Sequence, residues 1–223
     1  MKKIQLIEAI VDHLTGGDAT GDTQGQFHPL IVKSHVEMAF NQIVYQVWLN
    51  SKKFSDYSQL DAWSRTFEIQ VVGQVGTIAY SYLPFSPLQL PDNKGIRQVC
   101  NHDDNSVVFA YLEATANAIF SELEVSTIDD TPTFRLEQNN LSSGAGEESH
   151  IIKLEKLPIG EDAMSSLDIM MIVPLERMSD YDDIAIPAEM GEDALIKQII
   201  DFIRDKPSQD TINDQNANRP VMQ

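Results

Sequence analysis

The chain has 223 residues, with 34 Asp and Glu against 16 Lys and Arg, a formal charge of -18 and a single cysteine. At 42% hydrophobic and 22% charged it is long and apolar enough to bury a core, as one domain or as a domain carrying an insertion. The acidity argues against sequence-independent nucleic-acid binding, which needs Lys and Arg to displace counterions; the lone Cys100 excludes an intramolecular disulfide and fits a reducing compartment.

Residues 2–14 place Ile4, Leu6, Ile7, Ile10, Val11 and Leu14 at helical spacing, and Gly16-Gly17 stops the helix. Gln5, Glu8, Asp12 and His13 interrupt the apolar stretch, so it reads as an amphipathic helix and not as a signal peptide. No run of 18 apolar residues exists, which excludes a membrane-spanning helix. A polar, Gly-rich loop follows at 15–27. Pro29 then opens a second helix, where its missing N–H costs nothing. Val32, Val36, Phe40, Ile43 and Val47 form one apolar face of that helix, and a second side carries Ile31, Met38, Tyr45, Trp48 and Leu49.

After Asp61 the period changes to two. Strands are predicted at 65–72 and 75–83, with Gly73 and Gly76 as turn or bulge signals. The Pro-rich stretch 83–91 is extended. Further strand-like runs are 95–99, 107–112, 133–138, 150–157 and 168–175, with a short helix at 114–121 and a flexible hairpin tip at 141–149. A last helix opens at Ile186-Pro187, carries Glu189, Glu192 and Asp193 in its first turns, and presents Leu195, Ile196, Ile199, Ile200 and Ile203. Lys206-Pro207 ends it, and the polar tail beyond has no pattern that folds alone.

The expected fold class is α+β: a small helical bundle from N- and C-terminal helices with an all-β, sandwich or barrel-like, middle insertion. The parts are 1–62 (helical), 63–180 (β-rich), 181–206 (the returning helix) and 207–223 (an extended polar tail).

Signatures of chemistry are few. The phosphate-loop, nucleophile-elbow and zinc-helix motifs are all absent from the sequence. His102-Asp103-Asp104 is the most site-like cluster. Its ordinary reading is a polar turn between strands, against a cation site or a base. Cys100 reads as a small apolar residue at a strand end. His28 and His35 lie seven apart, without the spacing of metal ligands. Asp18 and Asp22 fail the calcium-loop pattern. Asp180, Asp182 and Asp183 read as a solvated charge run, against a metal or basic-partner site. The expectation is no catalytic residue, no metal and no cofactor.

Two stretches carry a resemblance. One is LPFSPLQLPDNKGIRQV at 83–99, a proline-flanked extended segment leading into a strand. The other is DDIAIPAEMGEDALIKQIIDFIRDKPSQDTINDQNANRP at 182–220, with its Ile-Pro opening, acidic first turn, amphipathic helix and Asn-rich tail. With the N-terminal helical pair, the chain resembles the ring proteins of the neck of crAss-like tailed phages. The resemblance spans most of the chain in order. It implies a non-enzymatic subunit of a homo-oligomeric ring, a dodecamer, between the portal protein and neighbouring ring or tail proteins. Genomic DNA would pass through the channel without specific binding, and the protein would be made in the bacterial cytoplasm and reside in the virion. Copies would pack head to tail, a heterologous contact closed by rotation. Subunit-interface residues expected on this view are Tyr45, Trp48 and Leu49 of the second helix, Ile199 and Ile203 of the last helix, and Ile212 and Asn213 of the tail. The alternatives are another minor virion component, such as a tail-completion or minor capsid protein, and a small hydrolase whose carboxylate pair is assembled by the fold.

Overall fold

The computed structural model describes residues 1–16, 29–91, 95–112, 132–138, 150–157, 164–187 and 190–205. They fold as two units. One comprises residues 1–47 and 178–223, the other residues 48–177. The expected helix at 114–121, hairpin tip at 141–149 and polar tail at 207–223 lie outside the described residues. The α+β class is as expected, with N- and C-terminal helices in contact and two β-sheets inserted between them in sequence.

In the helical unit, α1 (Lys3–Thr15) packs against α4 (Glu192–Asp205). Leu6, Ile7 and Ile10 of α1 and Leu195, Ile199 and Ile200 of α4 are buried. The predicted stripe of α2 (Pro29–Phe54) is buried as well: Val32, Val36, Phe40, Ile43 and Val47. α1 ends where Gly16 takes a left-handed conformation, φ 67°.

The start of α1 is tied to a distant segment. The backbone N–H groups of Lys3 and Ile4 donate to the carbonyls of Asp182 and Asp180, so two orphan donors of the first turn are satisfied by the chain leading toward α4. Lys3 itself is buried. Its Nζ lies 2.8 Å from Glu37 Oε1 of α2 and donates to the Met178 carbonyl at 3.1 Å. Asp180 pairs with Lys33 at 2.8 Å. The acidic run is therefore bonded to bases of its own chain, and only part of it is solvated.

α4 starts at Glu192, six residues after the expected opening at Ile186. Gly191 has φ 70°, and the Met190 and Gly191 N–H groups close a turn on the Pro187 carbonyl, so the helix begins only beyond that left-handed residue.

In the second unit the last turns of α2 lead into a five-residue helix the sequence did not announce, α3 (Ser58–Ala62). The strands are β1 (Ser64–Gln70), β2 (Val72–Val75), β3 (Ile78–Tyr82), β4 (Ile96–Asn101), β5 (Ala110–Tyr111), β6 (Thr133–Gln138), β7 (His150–Glu155) and β8 (Ser166–Ile172). They form a three-stranded sheet, β1-β8-β4, and a five-stranded sheet, β2-β3-β7-β6-β5.

The predicted strand 65–72 is cut short. At Val71 the N–H turns to the Ser165 carbonyl and the chain leaves one sheet for the other. Residues 72–75 then pair back on β3, with Gly73 and Gly76 at positive φ in the bulge and turn. The run 107–112 yields only β5, and 168–175 ends as a strand at Ile172 before a single 3-10 turn, Leu175–Arg177. Ile69, Val99, Leu167, Ile169 and Met171 from one sheet and Ala79, Phe134, Ile152 and Leu154 from the other fill a common core, the sandwich form of the expected insertion. Gly95 sits under the backbone of the Pro-rich segment, where any side chain would collide with the Leu88 carbonyl oxygen.

Candidate functional site

Strand alternation sends one set of side chains of β1-β8-β4 into the core and the other outward. The outward set includes Thr66, Gln98, Cys100, Asp168 and Met170, which with Asn105 line a cavity of about 260 Å³. His102 stands just past the end of β4. Its Nδ1–H donates to Asp168 Oδ1 of β8 at 2.9 Å, and its Nε2 lies 3.9 Å from Glu68 Oε2 of β1. The hydrogen bond to Asp168, followed by the Glu68 charge, raises the imidazole's pKa above its ordinary value. The Cys100 thiol is also pushed up, first by burial and then by Asp168, so it is held protonated, the opposite of an activated nucleophile. Its sulfur lies 3.6 Å from Asn105 Oδ1 and 3.7 Å from the Asp168 carbonyl.

The turn itself behaves as the sequence suggested. Asp104 Oδ1 accepts from the Ser106 N–H and hydroxyl, which lower its pKa, and Asn101 Oδ1 accepts from the Asp103 N–H. What sequence reasoning missed is the distant pair of carboxylates on His102. Asp168 is 66 residues away, and only the β4–β8 and β1–β8 registers, Cys100↔Asp168 and Glu68↔Asp168, bring the three together.

A second cavity, of about 330 Å³, is lined by Pro87, Leu88, Leu90, Leu136, Glu137 and His150 among others. The Ser86 hydroxyl lies 2.7 Å from His150 Nδ1 at its side. Glu137, the acid of this cavity, is ion-paired to Arg135 at 2.8 Å. Among the described residues, no group of three His, Cys, Asp or Glu is placed to hold a metal ion.

The residues expected at subunit interfaces fall in different places. Trp48 and Ile199 are 3% and 0% exposed and spend their apolar surface inside the chain. Tyr45 and Ile203 are half-buried, and Leu49 is exposed. Ile212 and Asn213 lie outside the described residues. Among the described residues, large apolar side chains left mostly to solvent include Val75 of β2 at 79% and three that the sequence reading passed over: Leu30 and Phe54 of α2, and Tyr181 within the acidic run, each 71–72% exposed. The signal was present for two of them, since Phe54 follows two lysines and Tyr181 is flanked by aspartates, and neither setting calls for an aromatic ring.

Among the described residues no helix is long and apolar enough to cross a membrane. Comparison with known proteins finds no matching family model, no matching curated protein and no matching solved structure.

Proposed function

We propose that the chain is a structural subunit of a ring in the neck of a crAss-like tailed phage, joining the portal vertex to the tail and forming part of the wall of the DNA channel. The observation that carries the reading is the apolar surface the folded chain leaves uncovered. Ile31 and Met38, seven residues apart on one side of α2, are each about half exposed beside Leu30, while the opposite side of the same helix is fully spent on the core. A 26-residue helix with apolar residues on both sides is suited to a subunit that meets neighbours. The charge of -18 supports the second half of the proposal, because a carboxylate-rich wall lets a phosphate backbone slide past without adhering. The sequence resemblance at 83–99 and 182–220 supports assigning the ring to the neck of such a phage.

Quantitative mass spectrometry of purified virions of the phage that encodes the chain tests the proposal. Copy number equal to that of the portal protein is the expected result. A chain made in infected cells but missing from virions overturns it.

A further inference from the structure

Resting on the ring proposal, we infer that the head-to-tail contact joins the end of α2 of one copy to the Ser179–Asp183 loop of the next, with Lys53 and Phe54 docking on Tyr181 and Asp183.

Both faces are built before they meet. α2 stops at Phe54 because Ser55 takes φ 55°, a left-handed conformation, and the Asp56 N–H folds back on the Ser51 carbonyl. This leaves Phe54 71% exposed on the last turn of a rigid helix. Lys53 Nζ lies 5.4 Å from the Phe54 ring centre, and Lys52 Nζ lies 5.1 Å from that of Trp48. Cations in the last turn complement the helix dipole, which accounts for the two lysines but not for an aromatic ring held in water.

The loop is ordered just as firmly. The Asp182 N–H donates to the Ser179 carbonyl, the Ser179 N–H donates to Asp182 Oδ2 at 3.0 Å, and the carbonyls of Asp180 and Asp182 cap α1. The result is a fixed turn carrying Tyr181, 72% exposed, between aspartates.

One face is aromatic and basic, the other aromatic and acidic. The occupant that fits each is therefore the other face on a second copy, and stacking of two rings carried on ordered backbone and flanked by opposite charges limits the entropy lost on contact. In a chain with 34 acids and 16 bases, two adjacent lysines beside an exposed ring are the feature an acidic neighbour can use. Because the two faces differ, the contact is heterologous and propagates until rotation closes it.

The test is sedimentation velocity of the purified full chain over a concentration series. Lys53→Glu and Asp183→Lys, separately, should each weaken association by about tenfold or more, the effect of setting like charges together. Both variants should still unfold cooperatively with at most a small loss of melting temperature, since both side chains are exposed and Lys53→Glu gives up only the weak helix-dipole interaction. Mixing the two variants should restore assembly, because every contact between unlike chains again pairs opposite charges. Phe54→Ser should weaken association without rescue by either variant. The inference is overturned if wild type stays monomeric throughout, if the single reversals assemble as wild type does, or if the mixture stays dissociated. Wild-type rings that persist in both reversals would remove this contact and leave the ring proposal standing. Open filaments sensitive to both reversals would keep the contact and remove ring closure.

Discussion

Replacing Lys3 by Met should destabilise the helical unit, and the size of the loss follows from what Lys3 touches. Its side chain is 2% exposed, bonded to the Met178 carbonyl at 3.1 Å and to Glu37 Oε1 at 2.8 Å, with Asp180 Oδ1 3.9 Å away. Methionine keeps the apolar stem, so the packing term is small. Removing one partner of a fully buried ion pair costs about 3–5 kcal/mol, because the other charge is stranded. Here the stranded group is less costly: the Glu37 side chain is 17% exposed and reaches some water, and Asp180 retains Lys33 at 2.8 Å. The lost carbonyl acceptor adds about 1 kcal/mol. A total of about 2–3 kcal/mol results, or roughly 4–12 °C in melting temperature for a chain of this size.

Thermal and urea unfolding followed by circular dichroism would measure it. The double variant Lys3→Met with Glu37→Met removes both charges and should recover at least half of the loss, as buried pairs replaced by apolar residues commonly do. A single variant within about 0.5 kcal/mol of wild type would refute the reasoning, and a double variant no better than the single one would do the same.

His102 should titrate above its ordinary value, and Asp168→Asn should lower it; an NMR titration of the imidazole protons reads both. A raised folded-state pKa means that the stabilisation is full below the unfolded value near 6.5 and is lost as pH rises through the higher folded value, so His102→Gln should flatten that part of the stability profile. Asp180, lowered chiefly by the hydrogen bond from Lys33, has the opposite sign: its contribution is present above the unfolded carboxylate value and disappears as pH falls through the depressed one, which acid unfolding of Asp180→Asn against wild type would display. Gly95→Ala should cost about 1–3 kcal/mol in urea unfolding, because the Leu88 backbone must move. Ile199→Ala should cost about 2–5 kcal/mol of folding stability, the signature of a core position.

Periodicity made much of this fold legible. The stripe of α2 and the alternation of β1, β7 and β8 place their apolar residues where the core lies, because burial enforces those spacings directly. Boundaries failed where backbone geometry decides. Gly191 delays α4, and the switch at Val71 divides one apolar run between two sheets, a choice of partners that no local pattern records. The charged groups failed for the same reason. Asp180 looked solvated until the chain brought Lys33 to it across 147 residues, and Glu68 and Asp168 reach His102 only through strand register. Which apolar residues stay exposed was the least legible. An apolar side chain on a helix reads identically whether it is buried, as Trp48 is, or exposed, as Leu49 is.

The distribution of charge bears on what the proposed assembly would require. Lys3, Lys33, Arg97, Arg135 and Lys153 are all engaged with carboxylates of their own chain, so a good part of the small basic complement is consumed internally and the outward field is strongly negative. Two copies approaching at low salt therefore repel beyond the contact distance, and that repulsion is screened over about 8 Å at physiological ionic strength. Attraction must come from short-range features that survive such screening, which means apolar rings and charges placed in direct contact. Exposed Phe54 beside Lys53, and exposed Tyr181 among aspartates, are groups of this kind held on ordered backbone. A surface that rejects indiscriminate neighbours while accepting one complementary partner is what a ring needs if it is to close without aggregating.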